Sequence, residues 1–471
     1  MLPGDGVGPE VMQSCLTVLK AVCPRLDWTL ADAGAKVVER GIASGLPKET
    51  VEAVIRTPVV LKGPCATPVG HGSKSVNVTI RKFFELYGNV RPVRSLQGLN
   101  TPYADRLIDL IVVRENVEDL YAGIEYMQTP DVAQCLKLVT RKGSEKAVRL
   151  AFSLAQAERR PTIHCATKAN IMKLTEGLFK SVFEDVSDAF PRIEAHHMLI
   201  DNCAHQLVMR PEQFDVIVTT NMNGDIISDL AAGLVGGLGL APSANLGDSV
   251  AVFEPVHGSA PDIAGRNRAN PTAMIRSGIL MLQHLGLSAE ASRVEDALAL
   301  VYEDGRALTG DVSPDGDGVG TDRFTDAVLE ALEAVPLPGP RAGNPSVPEP
   351  SGTTLPKRSR RVQFDGVDIF VEWTGTVDDL ARLLKSLTAH DPFDLTMISN
   401  RGTVVYPVSS GFTDTVDHWR CRFMYRAGDR DGGRLVGALI DKLAVSLRWM
   451  HVEQLICVDG QPGYSRAQGE G

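Results

Sequence analysis

Short apolar runs separated by longer amphipathic stretches set the pattern of the first 330 or so residues. Pro58-Val-Val-Leu-Lys62, Leu110-Ile-Val-Val113, Thr162-Ile-His-Cys165, His197-Met-Leu-Ile200 and Val216-Ile-Val-Thr219 are brief and flanked by turn formers. Such runs read as buried, largely parallel strands. Between them apolar residues recur at helical spacing, from Val11 to about Ile55 and over roughly 144–158, 172–189, 204–210 and 225–234. Strands alternating with helices predict an open α/β core.

Past Leu332 the pattern breaks. Prolines at 336, 338, 340, 345, 348, 350 and 356 deny the segment a helix or central strand and predict a stiff linker over 335–356. The remainder, 357–471, reads as strand 362–372, helix 376–388, strands 394–400 and 403–407, strand 418–425, helix 432–449 and strand 453–458. That order predicts a small α+β, ferredoxin-like domain with an added strand.

Composition narrows the partners. With 48 basic against 58 acidic residues the formal net charge is −10, which argues against a nucleic-acid surface. No apolar run has membrane-spanning length, and no basic and apolar leader opens the chain. The eight cysteines show no C-x-x-C or metal spacing, as expected of reduced thiols in a cytoplasmic protein. Gly4-Asp-Gly-Val-Gly8-Pro-Glu10 reads as a tight turn feeding a helix, with Pro9 at its first position. A glycine loop of this kind normally follows a buried strand, and only Leu2 and Pro3 separate it from Met1, so a strand is expected upstream.

The candidate chemistry begins with Asp225 and Asp229, four residues apart on one face of a predicted helix. Alone they repel, and a hard divalent cation such as Mg²⁺ or Mn²⁺ would relieve the repulsion. Two solvated surface carboxylates would show the same spacing. Arg81, Arg91 and Arg114 stand near strand ends and loops, where their forked donors suit a substrate with several carboxylates. Ser75 and Asn77 add small donors at a predicted helix start, a favourable place for an anion. Each of these residues, taken singly, also has an ordinary structural explanation.

Taken together they do not stay ordinary. The glycine loop, Ser75-x-Asn77-x-x-x-Arg81, Arg91-Pro-Val-Arg94, Arg114-Glu-Asn-Val-Glu-Asp-Leu-Tyr-Ala-Gly-Ile-Glu125, Thr167-Lys-Ala-Asn-Ile-Met-Lys173, Asn223-Gly-Asp-Ile-Ile-Ser-Asp229 and Glu254-Pro-Val-His-Gly-Ser-Ala-Pro261 follow one another in order. In that order they resemble the β-decarboxylating dehydrogenases of the isocitrate/isopropylmalate dehydrogenase family, in the long bacterial form with an extra C-terminal domain. The resemblance runs from residue 1 to about 334. It implies a two-lobed fold, with a large lobe of 1–86 and 237–334, a small lobe of 87–236, and an arm over 121–143 that pairs with a second subunit. It implies oxidative decarboxylation of isocitrate to 2-oxoglutarate. Arg81, Arg91 and Arg114 would hold substrate carboxylates, with Ser75 and Asn77 at the carboxylate that marks isocitrate. Tyr121 and Lys168 would be the acid–base pair, and Asp201, Asp225 and Asp229 the ligands of Mg²⁺ or Mn²⁺. Lys168 and Asp201 would reach the site from the partner, making the active unit a homodimer.

The resemblance also bears on the cofactor, through His257, Gly258, Asp262, Ile263 and Asn270. NADP-dependent members place Lys-Tyr where this chain has Asp262-Ile263. A carboxylate there suits ribose hydroxyls and opposes a 2′-phosphate, so NAD is expected. Homoisocitrate or 3-isopropylmalate as substrate, or a regulatory subunit without turnover, are the alternatives. Ser75 and Asn77 speak against 3-isopropylmalate, and the full ligand set against a regulatory subunit.

Overall fold

The computed structural model describes residues 1–67, 75–336, 360–409, 411–426 and 432–466. Residues 68–72 of the second glycine-rich stretch, and the predicted linker from 337 onward, lie outside the described residues. The chain forms two compact units, Met1–Ala122 with Lys137–Leu355, and Gly123–Leu136 with Pro356–Gly471.

The elements run α1 Gly8–Val22, α2 Ala35–Glu39, α3 Lys48–Arg56, β1 Val59–Leu61, α4 Val76–Phe83, β2 Gly88–Arg94, β3 Asp109–Glu115, β4 Glu125–Thr129 and β5 Val132–Cys135. Next come α5 Arg141–Ala157, β6 Thr162–Thr167, α6 Thr175–Ser187, β7 Glu194–Leu199, α7 Ile200–Met209, β8 Val216–Thr219 and α8 Asn221–Leu234. The first unit closes with β9 Pro242–Leu246, β10 Ala251–Pro255, α9 Thr272–His284, α10 Ser288–Asp304 and α11 Thr321–Ala334.

Its eight-stranded sheet has the order β1-β10-β9-β2-β3-β8-β6-β7. Both faces are buried along the central strands β3, β8 and β6, which is why these read as largely apolar runs. Along β3, Ile111 and Val113 join one core while Leu110 and Val112 join another, and along β8 Val216 and Val218 part from Ile217 in the same way. The sheet is not parallel throughout. β3, β8, β6 and β7 are parallel, but β10, β9, β2 and β3 pair antiparallel in succession. The four residues between β9 and β10 leave no room for a crossover, so this pair must form a hairpin. At the outer edge Leu2 makes one parallel bridge to Lys62 beside β1.

The glycine loop before α1 is a folded cradle. Gly4 and Gly6 adopt positive φ of 75° and 59°, and a side chain on Gly6 would collide with the Ser259 carbonyl, to which Val7 donates its N–H. The Asp5 carboxylate accepts from the backbone N–H groups of Ala35 and Ala66.

The second unit contains β11 Val362–Glu372, α12 Val377–Leu387, β12 Phe393–Asn400, β13 Thr403–Tyr406, β14 His418–Tyr425, α13 Gly432–Ala444, β15 Arg448–Val458 and β16 Gln461–Pro462. Its sheet order is β13-β12-β14-β11-β15-β16 and every pair is antiparallel. Without β13 and β16 this is the β15-β11-β14-β12 order of a ferredoxin-like sandwich, as the sequence predicts. Its own core joins Val367, Ile369 and Val371 of β11 to Leu380 and Leu384 of α12 and Leu439 of α13. The β4–β5 hairpin belongs to this unit, and Thr129 donates to the Asp417 carboxylate at 3.0 Å. Among the described residues no helix is long and apolar enough to cross a membrane.

Candidate functional site

Two neighbouring strands and one helix assemble a charge cluster in the first unit. Arg91 on β2 and Arg114 on β3 share a sheet face, because Asn89 stands directly opposite Arg114 and Arg91 is two residues further along its strand. Helix α8 lies against them at Gly224, where a Cβ would fall 2.6 Å from the Arg114 side chain. This glycine makes the contact sterically possible, a role that nothing in its local sequence announces. Four residues apart on α8, Asp225 and Asp229 then meet the guanidinium groups. Arg91 reaches Asp225 and Asp229 at 3.2 Å each and donates to Ser228 at 2.6 Å. Arg114 pairs with Asp225 and donates twice to Asn221. The Tyr121 hydroxyl donates to Asp225 at 2.5 Å, and its ring lies 4.9 Å from the Arg114 guanidinium carbon.

Electrostatics follow from this crowding. Burial, with Arg91 and Arg81 as like-charged neighbours, pulls Arg114 down to about 9. Burial works to raise Asp225, but Arg114 and Arg91 prevail and hold it below the ordinary carboxylate range. For Asp229, burial and the charge of Asp225 outweigh Arg91 and push it up. Burial likewise raises Tyr121, keeping its phenol protonated.

Arg81 enters from α4, one turn after Asn77. It pairs with Glu254 of β10 at 3.1 Å, and its Nε is buried without a partner. Asn77 donates to the Cys65 carbonyl, while its Oδ1 is also buried and unpaired. The Ser75 hydroxyl bonds to that of Thr67. His257 is tied to the Gly258 carbonyl through Nδ1, and its buried Nε2 has no partner. The residues that carry these orphaned atoms line one cavity of about 290 Å³, together with Cys65, Thr67, Arg91, Glu254 and Gly258. Buried polar atoms without partners are uncommon, and here three belong to residues lining the same cavity.

Sequence reasoning missed the support beneath this cavity. Glu254 takes Lys62, Arg81 and Asn245, and Asn245 continues through Asn89 to Arg91. Lys62 is only 1% exposed. Burial would raise Glu254, yet Lys62 and Arg81 hold it at about 2. Glu254→Ala strands a buried lysine and is expected to cost about 3–5 kcal/mol, read as a fall in denaturant midpoint. Because the folded-state value lies below the unfolded one, the Glu254 contribution is present above pH 4.5 and is lost as pH falls toward 2. The wild-type advantage over Glu254→Ala should shrink across that window.

Lys168 and Asp201 stand apart from the other predicted ligands. Their side chains pair with each other at 2.7 Å and not with Asp225 or Asp229. Among the described residues no three His, Cys, Asp or Glu side chains gather as a metal centre. Asp225 and Asp229 supply hard oxygen donors on one face, which fits two ligands of a divalent cation and leaves the rest to come from elsewhere. Asn270 turns inward, donating to Asp311 and Tyr302 while its Oδ1 accepts from Thr272.

The isocitrate/isopropylmalate dehydrogenase family model matches residues 1–328, and the model of the bacterial isocitrate dehydrogenase C-terminal domain matches 362–470. The chain is 54% identical to the NADP isocitrate dehydrogenase of Thermus thermophilus, covering all of this chain and 95% of that one. It is 39% identical to the NADP isocitrate dehydrogenase of Rickettsia bellii over 99% of this chain and 98% of the other. The crystal structure of the TT0538 protein from Thermus thermophilus superposes with a TM-score of 0.95 at 53% identity, covering 100% of this chain and 95% of that chain.

These names overturn the expectation of NAD. That expectation rested on Asp262 and Ile263, and the structure shows why they are a poor guide. Asp262 is exposed, where solvent and salt screen a single carboxylate, and Ile263 packs toward the core. The same turn carries exposed Arg266 and Arg268, so its local charge is positive. With the family model spanning well over half of its length, the chain belongs to the isocitrate/isopropylmalate dehydrogenase family.

Proposed function

We propose that this protein oxidatively decarboxylates isocitrate to 2-oxoglutarate and CO₂, reducing NADP, with Mg²⁺ or Mn²⁺ held by Asp225 and Asp229. The observation that carries the reading is the convergence of Arg81, Arg91 and Arg114, with Lys62, around Asp225, Asp229 and Glu254. Four cations face three carboxylates. A divalent cation would raise the excess to about three positive charges, the charge of a tricarboxylate.

Each residue then has a task in chemistry that removes a hydroxyl proton and a hydride, releases CO₂ and reprotonates carbon. The arginines orient the carboxylates, and Asn77 and Ser75 border the third. Lys168 takes the hydroxyl proton, and Tyr121, kept protonated by burial, returns a proton to carbon. When bound, the metal acts as a Lewis acid on the substrate oxygens. NADP would lie along the His257–Asn270 segment, with Arg266 and Arg268 as the basic groups available to its 2′-phosphate.

The working unit is a homodimer in which Lys168 and Asp201 complete the site of the partner subunit. Supporting this, Ile171 and Leu174 just ahead of α6, Val208 and Met209 on α7, and Met222 and Ile226 on α8 leave apolar surface exposed. The β4–β5 hairpin, only two strands wide, exposes Tyr126 and Met127.

Initial-rate assays with isocitrate, homoisocitrate and 3-isopropylmalate, each with NADP and NAD, test the proposal. Isocitrate with NADP should give the highest kcat/KM, at least about tenfold above NAD, or ~1.4 kcal/mol. Arg266→Ala with Arg268→Ala should raise the KM for NADP and leave that for NAD unchanged. Faster turnover of 3-isopropylmalate would sink the substrate assignment.

A further inference from the structure

One fully buried carboxylate takes no part in the chemistry described so far, yet it touches both the backbone of Lys168 and the start of the helix that carries Asp225 and Asp229. Glu176, the second residue of α6, has no exposed surface. Its Oε2 accepts the backbone N–H of Lys168 at 3.1 Å. Its Oε1 accepts from the Thr220 hydroxyl at 3.1 Å, at the N-cap of α8, and from Asn223 at 3.3 Å in the first turn just ahead of Asp225, and Asn223 also reaches Oε2 at 3.4 Å. Lys137 pairs with Oε1 at 2.8 Å and also with Asp119. Asp119, itself 1% exposed, accepts the Met222 backbone N–H at 2.9 Å at the start of α8 and stands two residues before Tyr121. Thr220 makes no side-chain cap of its own, so the Asp119 carboxylate occupies the capping place at this helix start.

We propose that Glu176 is a positioning residue that ties the backbone of Lys168 to the helix bearing Asp225 and Asp229. The proposal rests on the roles assigned above to Lys168 and the two aspartates. In a homodimer that shares its sites, Lys168 serves the site of the partner subunit while Asp225 and Asp229 serve their own. Glu176 therefore couples the two sites through one carboxylate. Oε1 gathers Thr220 and Lys137, Oε2 holds Lys168, and Asn223 donates to both oxygens.

Glu176→Gln tests this with little change of shape. If the amide oxygen keeps the Oε1 donors, the amide nitrogen faces the Lys168 N–H and the Asn223 amide, donor against donor. The expected result is a kcat at least about tenfold lower with an isocitrate KM within about twofold of wild type, because Glu176 makes no bond to Arg81, Arg91 or Arg114. A role confined to stability would move the melting temperature and not divide kcat from KM. Glu176→Gln with wild-type kcat would overturn the proposal. Thr220→Val, which removes one donor without disturbing a buried charge, serves if Glu176→Gln does not fold. It should lower kcat about threefold at unchanged KM, and an unchanged kcat would be equally fatal.

Tagged heterodimers probe the coupling itself. A wild-type/Lys168→Met dimer should keep about half of wild-type activity, since one site remains whole. A wild-type/Glu176→Gln dimer should keep well under half, because one site has a misplaced lysine and the other misplaced carboxylates. Half activity in the second dimer overturns the coupling. Undiminished turnover in the Lys168→Met homodimer would instead remove the role of Lys168, a failure distinct from that of Glu176.

Discussion

Mixing Arg114→Ala chains with Lys168→Met chains is expected to restore activity that neither has alone. Each parent should be nearly inactive. Loss of a general base typically costs about a hundredfold to ten-thousandfold, and loss of Arg114 removes a buried guanidinium proposed to hold a substrate carboxylate. If Lys168 serves the partner subunit, every hybrid contains one site with both residues intact. Random assortment makes about half of the dimers hybrid, so the mixture should recover about a quarter of wild-type activity. The structure motivates the experiment directly, because the Lys168 amine pairs with Asp201 and not with the Asp225 cluster. A mixture no more active than its parents would place both residues in one subunit's site.

Asp225→Asn should be the most damaging single change on α8. The carboxylate takes Arg114, Arg91 and Tyr121 together, and it is one of two proposed metal ligands. Its loss leaves Arg114 without its only ionic partner among the described residues, removes a hard donor and frees the phenol that it orients. A fall in kcat/KM of at least about a thousandfold is expected, ~4 kcal/mol of transition-state stabilisation. Titration with Mn²⁺ separates these effects, because the variant should also bind the ion at least about tenfold more weakly. Wild-type Mn²⁺ affinity in Asp225→Asn would take the metal away from α8. Chelation should stop the wild-type enzyme, and added Mg²⁺ or Mn²⁺ should restart it.

Much of this was legible in the residues. The D-x-x-x-D spacing on a helix and the arginines at strand ends needed only periodicity and charge, and the structure brings Arg91, Arg114, Tyr121, Asp225 and Asp229 into contact. The C-terminal strands at 362–372 and 418–425 alternate so regularly that their limits were readable as well. Strands β2, β9 and β10 were not, and the reason is functional. They carry Asn89, Arg91, Pro92, Ser243, Asn245 and Glu254 at buried or half-buried positions, so the polar residues that support the cavity erase the apolar signal of a strand.

Buried ionic partners were equally hidden. Lys62 and Glu254 lie 192 residues apart, and nothing local marks either as half of a pair. Glu176 reads as an ordinary helix-start glutamate until Lys137, Thr220 and Lys168 close around it. The cofactor error has another physical origin. The Asp262 charge does not act alone in its exposed loop, because Arg266 and Arg268 share the same turn and solvent weakens them all.

Product analysis reaches the central claim most directly. Purified protein given isocitrate, NADP and Mn²⁺ should form NADPH, CO₂ and 2-oxoglutarate in equal amounts, as oxidation and decarboxylation at one site require. NADPH formed without matching CO₂, or no turnover of isocitrate at all by folded and metal-loaded protein, would contradict the account.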